Sequence, residues 1–337
     1  MRRWVVPYLQ CPKTREDLVL ADVADEVGDD VIAGALVTKS GTRYPIRGGV
    51  PRFVEIHYAT AFGLQWNTHA RTQIDNARHT HSAERFWGET GFTPADLAGK
   101  LVLDGGCGSG RFTDIAAGAG ARVIAVDLSE AVDACYANNR DRENVCVIQA
   151  SLLEMPVRAQ SMDCAFTIGV IQHTPDPLGA LRETANTVKV GGIVGVSWYK
   201  KYWYTYLNQA YLLRPFFRNM DEHRLYRFVS WYVPKLLPVS RLLAKGLHFI
   251  IPGRESDVLD RILPVANRDN IAGLSERERV EWAILDTYDW FQPKYDSPQT
   301  WKAVEGTMRA LGFRCRRAPL ERRGLHCVRM QVSEHST

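Results

Sequence analysis

The stretch Leu101-Val102-Leu103-Asp104-Gly105-Gly106-Cys107-Gly108-Ser109-Gly110-Arg111 decides how the rest of the chain is read. A short apolar run feeds a glycine turn, and helical spacing follows from Gly110 to Gly118. Glycine lets a ligand approach the backbone where a Cβ would collide with it. In open α/β sheets, ligands sit at the carboxyl ends of strands where the topology switches. A glycine loop by itself is weak evidence, because dinucleotide-binding folds carry one too. Here Asp104 precedes Gly106-x-Gly108-x-Gly110, and Asp127 ends the next strand, where its carboxylate can accept from both hydroxyls of a ribose.

Outward from this turn the pattern alternates. Arg122–Asp127, Asn144–Gln149, Met162–Ile168 and Gly192–Trp198 read as further strands. Ser129 caps a helix through Asn139, and Asp176 with Pro177 forms an N-cap and first turn for a helix to about Val188. Continuous apolar strands separated by helices predict an α/β fold with a mostly parallel sheet covered on both faces. A helix from about Ser297 to Leu311 precedes a closing strand pair, Gly312–Arg316 and Leu325–Met330.

Residues 100–200 and the final strand pair resemble the class I S-adenosylmethionine-dependent methyltransferases, through Asp104, the glycine loop and Asp127. The resemblance implies a Rossmann-like sheet of seven strands with S-adenosyl-L-methionine as cofactor. It implies that Asp104, Gly105, Gly106, Cys107, Gly108 and Gly110 surround the methionine moiety, that Asp127 binds the ribose, and that Leu128 packs on the adenine. Leu152 and Ile168 join this cofactor set. Ser151 stands where many members carry an acid that accepts from the adenine amino group. The fourth strand runs into Gln172-His173-Thr174-Pro175-Asp176-Pro177, which resembles the family's His-x-x-Asp-Pro stretch at the substrate. His173 is either a general base, since neutral imidazole accepts a proton near pH 7, or a structural histidine bonded to a loop carbonyl.

Two segments read as substrate-facing lids or as ordinary packed loops. The first, Ala61–Asp75, resembles the leader of bacterial methyltransferases that follow a degenerate ribbon module. There Trp66 covers the cofactor, and Arg71 or Gln73 meets its carboxylate. The second, Leu285–Tyr295, resembles the same group's loop at the substrate mouth and offers Tyr288, Trp290, Phe291 and Tyr295 beside Gln172 and His173. Upstream, residues 1–55 form a β-rich module with turn signals at Gly28, Gly41 and Gly48. It resembles the small zinc ribbons related to activator subunits of tRNA methyltransferases. Only Cys11 remains of the four thiolates such a site needs, with Thr14, Thr38 and Ser40 at the other positions, so a metal-free relic is expected. A helical leader occupies 56–98, with helical spacing in His57–Phe62 and a second helix that Ser82 caps. The pair His79 and His81 reads as a solvated helix face.

The sheet is followed by an insertion, 200–285, of different texture. Lys200–Ile250 carries nine Lys or Arg against two acids, with twelve aromatic residues. A helical cap over the pocket, a subunit interface and an amphipathic surface docking on anionic lipid all fit this composition. The core resumes with the substrate-mouth loop, helix and strand pair of 286–337. Of the 337 residues, 45% are hydrophobic, and the net charge of +4 is too mild for a dedicated nucleic-acid binder. The opening residues Met1–Pro7 lack the apolar stretch of a signal peptide, so a cytoplasmic protein, peripheral at a membrane if the lipid reading holds, is expected. Seven scattered Cys argue against a disulfide scaffold.

The expected activity is methyl transfer to a small acceptor, a natural product, sugar or glycan intermediate, with no metal and no nucleic acid. Oxygen, nitrogen and carbon acceptors all remain open. RNA or protein methylation and a non-catalytic methyltransferase-like subunit are the rivals. A nicotinamide dehydrogenase fits the loop spacing less well.

Overall fold

The computed structural model describes residues 1–54, 59–320 and 324–331. His57 and Tyr58, part of the leader's helical spacing, lie outside the described residues. An antiparallel sheet comes first, with β1 (Leu18–Val27), β2 (Asp30–Thr38), β3 (Arg43–Arg47) and β4 (Val50–Pro51) in sequential order. Helices α1 (Thr60–Thr68), α2 (His81–Thr90) and α3 (Pro94–Leu97) lead into the second sheet. The helix α2 starts before Ser82, whose Oγ donates to the Gln73 carbonyl at 2.6 Å. Ser82 thus ties the leader loop down instead of capping.

The second sheet contains β5 (Leu101–Gly105), β6 (Arg122–Asp127), β7 (Val145–Gln149), β8 (Met162–Ile168), β9 (Val188–Ser197), β10 (Phe313–Arg317) and β11 (Gly324–Arg329). Its order is β10-β11-β9-β8-β5-β6-β7, and β11 pairs antiparallel with both neighbours while β5 to β9 pair in parallel. This is the expected Rossmann-like sheet of seven strands, with the switch point between β5 and β8. Its crossover helices are α4 (Arg111–Gly118), α5 (Ala131–Asn139) and α6 (Pro177–Asn186), and α11 (Trp301–Ala310) precedes β10. Asp176 caps α6 by accepting from Gly179 N at 2.8 Å.

Successive residues of the central strands enter opposite layers. Leu101, Leu103, Ile124 and Val126 belong to one buried cluster, Val102, Val123 and Ala125 to the other. The first of these clusters also takes in Leu18, Val31, Leu36 and Ile46. The N-terminal sheet therefore shares the core. Past β4, Arg52 bridges Gln149 in parallel, and Phe53 N donates to the Gln149 carbonyl at 2.8 Å, so the chain runs along the β7 edge. Around Cys11, the thiol lies 3.1 Å from the Tyr44 hydroxyl and accepts from Thr14 N at 3.4 Å, and Thr38 Oγ1 lies 3.0 Å from Ser40 Oγ.

The insertion is helical: α7 (Gln209–Phe217), α8 (Glu222–His248), α9 (Glu255–Leu259) and α10 (Glu276–Phe291). Ser275 and Glu278 form a capping box at the start of α10. Leu225, Val229, Val233 and Leu237 of α8 pack on Ala283, Tyr288 and Phe291 of α10 in a separate buried cluster. One expectation is corrected here. Residues 285–291 are the last turns of α10, not a loop, so a boundary at 286 cuts a helix. Cys315 and Cys327, directly opposed on β10 and β11, form a disulfide, the one pair among the described cysteines that is not free.

Candidate functional site

A cavity of about 420 Å³ opens at the carboxyl ends of β5, β6 and β8. Its floor is the turn Gly106–Ser109, with Asp127 and Leu128 at the end of β6, Leu152 after β7, and Ile168 to Val170 at the end of β8. The turn is glycine-built because the protein crowds it. Gly106 has φ +88, and a Cβ there would lie 2.4 Å from the Val170 side chain; one on Gly110, at φ +87, would lie 2.5 Å from Asn139. Asp127 faces the cavity and already accepts from Gly108 N at 2.9 Å and from the Ser129 amide and hydroxyl at 2.8 and 2.7 Å. Asp104 and Gly105 lie beneath the floor. Burial pushes the Asp104 carboxyl up to about 7, and the Thr113 hydroxyl donates to it at 2.6 Å.

Leader residues form one wall. Phe62, Gln65 and Trp66 project from α1, Gln73 follows, and His81 and Arg85 come from α2. Trp66 lies over Gly108, 3.3 Å from where a Cβ would stand. Arg71 is exposed and does not line the cavity. Arg111, the first residue of α4, does line it, beside Arg85. Its guanidinium carbon sits 4.4 Å over the Phe112 ring, and its buried Nη1 has no hydrogen-bond partner. Burial and the neighbouring Arg85 guanidinium both disfavour its charge. Burial, with the same two arginines, holds His81 neutral, down to about 4. His79 and His81 pack edge-on against Trp282, so they are no solvated face.

The far wall belongs to the insertion. On α10, Trp282, Asp286, Asp289 and Trp290 face the cavity, while Leu285, Tyr288 and Phe291 point into protein. Tyr288 and Phe291 are thus cap-core residues and not substrate contacts. Asp286 accepts from Gln73 Nε2 at 3.1 Å and pairs with Arg268, which also reaches Asp260 at 2.7 Å. Burial raises the Asp289 carboxyl, whose partners are Tyr199 OH at 3.3 Å and Gln65 Nε2 at 3.5 Å.

His173 completes the cavity, between the rings of Phe62 and Tyr199 at 5.3 and 5.4 Å. Its Nδ1 lies 3.1 Å from the Tyr295 carbonyl oxygen. That oxygen can only accept, so Nδ1 carries a proton, and in the neutral ring Nε2 is the acceptor. Tyr295 therefore contributes its backbone. Gln172 is fully buried with neither amide atom bonded, and it does not line the cavity. Ser151 is also off the cavity wall, its Oγ accepting from Leu153 N at 3.1 Å. No group of three His, Cys, Asp or Glu suited to a metal occurs among the described residues.

Residues 103–196 match the family model of a methyltransferase domain. The matched segment takes in the cavity floor and His173; the walls from α1, α2, α9 and α10 lie outside it. Over 140 residues the chain is 31% identical to the ubiquinone biosynthesis O-methyltransferase of Acinetobacter baumannii, covering 39% of this chain and 59% of the relative. The same-named protein of Azotobacter vinelandii is 33% identical over 138 residues, 38% and 58% of the two chains. The chain thus spans about 59% of the length of the curated relatives it matches. Among solved structures, an S-adenosylmethionine-dependent methyltransferase from Mesorhizobium loti is 25% identical, covers 31% of this chain and 49% of that one, and has a TM-score of 0.29. A methyltransferase-fold protein from Bacillus halodurans is 14% identical over 70% of this chain and 71% of that one, with a TM-score of 0.39.

Sequence reasoning missed Arg111, Gln65, Tyr199, Asp286 and Asp289. Arg111 stands next to the quoted loop. Asp286 and Asp289 share one helical face with Trp282, a signal hidden by reading 285–295 as a loop.

Proposed function

We propose that the protein is an S-adenosylmethionine-dependent methyltransferase acting on a hydroxyl of a small organic acceptor. The observation that carries this is the cavity at the switch point of the sheet, in the matched segment, with the Asp127 carboxylate and the His173 imidazole both lining it. The residues fit the cofactor. An acceptor carboxylate stands over an apolar shelf of Leu128 and Leu152, and Arg111 offers an orphaned, buried cationic donor. Asp127 would hold the ribose hydroxyls, Leu128 and Leu152 the adenine, and Arg111, in place of Arg71, the amino-acid carboxylate. Bound there, S-adenosylmethionine supplies an electrophilic methyl group on a sulfonium.

The chain's own work is alignment and proton handling. Methyl transfer needs the nucleophile in line with the methyl and the sulfur, about 3 Å from the methyl, in a site closed to water. Phe62, Trp66, Tyr199 and Trp290 provide apolar walls for that enclosure. His173 Nε2 takes the acceptor's hydroxyl proton, and the Tyr295 carbonyl keeps the imidazole in the tautomer able to do so. The ubiquinone relatives are named as O-methyltransferases, which supports the same class of small acceptor here.

Calorimetric titration with S-adenosylhomocysteine tests the reading. The expected result is micromolar binding that Asp127→Ala abolishes, followed by transfer of labelled methyl to a phenolic acceptor. Absence of binding to the folded chain would overturn it.

A further inference from the structure

The helix α8 is amphipathic twice over. Leu225, Val229, Val233 and Leu237 are buried at a spacing of four, which fixes the inward face. At 100° per residue, Phe228, Trp231, Val239, Leu242 and Phe249 fall on the opposite face. They are exposed, Trp231 by 61%, Leu242 by 70% and Phe249 by 89%. A soluble monomer rarely leaves so long an apolar ridge uncovered. At 1.5 Å per residue, it follows a helix about 40 Å long.

Charge says what covers it. After Glu222 the helix holds no acid and five cations. Arg241 is paired with Glu276 and Asp269. The other four are exposed and form no ion pair among the described residues: Arg224 and Lys235 lie within the ridge, Arg227 and Lys245 along its border. The Lys235 ammonium rests 3.6 Å above the Trp231 ring, a cation held beside an aromatic surface. A second copy of this chain meeting the ridge across a two-fold axis would set these cations against themselves. An anionic leaflet answers both the ridge and its charge. Aromatic residues with Lys and Arg are what a helix lying in the headgroup region carries. No helix among the described residues is long and apolar enough to cross a membrane, so the contact is one of lying upon it.

We propose that the outer face of α8 docks the protein on the surface of an anionic phospholipid membrane. The proposal rests on this surface alone and does not depend on the methyltransferase reading.

Flotation of the full chain with vesicles tests it, comparing equal phosphatidylglycerol and phosphatidylcholine with phosphatidylcholine alone. Co-flotation with the anionic vesicles is expected, weakened by added salt. Arg227→Gln with Lys235→Gln should lower the partition coefficient about 25-fold, at about fivefold per cation. Trp231→Ser with Phe249→Ser should abolish flotation. Both double variants change exposed side chains, and an unchanged circular dichroism spectrum and urea unfolding midpoint would show that the fold survives. No flotation with anionic vesicles overturns the proposal, as does equal, salt-insensitive binding to both vesicle types. A dimer in sedimentation velocity that the Trp231 and Phe249 changes dissolve would overturn it too, by making the ridge an interface between copies.

Discussion

His173 Nδ1 lies 3.1 Å from the Tyr295 carbonyl, and the residues on either side of Tyr295 are anchored from the insertion. Arg214 of α7 donates to the Pro293 carbonyl and pairs with Asp296, while Ser297 N donates to the Gln172 carbonyl at 2.8 Å. The 293–297 turn therefore holds the histidine segment at two adjacent residues, Gln172 and His173. His173→Ala removes the proton acceptor, and kcat should fall about 10²- to 10⁴-fold. S-adenosylhomocysteine affinity, read by calorimetry, should stay within a factor of a few. An unchanged kcat would assign His173 to structure.

Arg214 acts one step back, as a positioning residue. Both it and Asp296 are buried, so Arg214→Met leaves an uncompensated carboxylate and should cost about 3 to 5 kcal/mol in urea unfolding. Arg214→Lys keeps the charge and should recover part of that stability, yet lower kcat more than it raises KM, because the fork to Pro293 and Asp296 is lost. Recovery of wild-type kcat by the lysine would separate the clamp from the chemistry.

Arg111→Met should weaken S-adenosylhomocysteine binding about 10- to 100-fold, the range for a hydrogen bond to a charged group. Binding of 5′-methylthioadenosine, which lacks the amino-acid carboxylate, should not change. Arg71→Ala should affect neither ligand. Equal losses for the two ligands would place Arg111 elsewhere than at the carboxylate.

Asp104 sets a pH dependence. Its carboxyl stands at about 7 folded, raised by burial from 3.8. Between those values the folded state keeps a proton that the unfolded chain has released, so this group's contribution to stability falls as pH rises from about 4 to about 7, and is level above. Asp104→Asn removes the slope. Relative to wild type, the variant should gain on the order of 2 to 4 kcal/mol between pH 4 and pH 7 in ligand-free urea unfolding. A pH-independent difference would contradict the raised value.

The floor of the site was legible because its residues gather at the ends of strands. Gly106, Gly108, Asp127 and His173 each end or follow a strand, and strand ends are visible as apolar runs. The walls were harder, since they bring together segments some 200 residues apart, as Gln73 with Asp286. Within α10 the obstacle was periodicity. Aromatics and acids in Asp286–Phe291 mimic a binding loop, yet the Ser275 capping box and 3.6-residue spacing separate Asp286 and Asp289 from Tyr288 and Phe291. Arg71 failed for another reason: its neighbour Gln73 is drawn in by Asp286, and alternate side chains of an irregular loop need not share a side. The glycines were identified correctly as a tight turn, but the atoms that exclude a Cβ belong to Val170 and Asn139.

The pairing of Arg52 and Phe53 with Gln149 has a practical side. An outermost strand left bare is a template for other chains, and Phe53 N occupies the Gln149 carbonyl on β7. Deleting the first 54 residues would uncover that strand together with the apolar surface under Leu36 and Ile46. A fragment trimmed to its recognisable domain would thus be prone to aggregate, however intact its cavity.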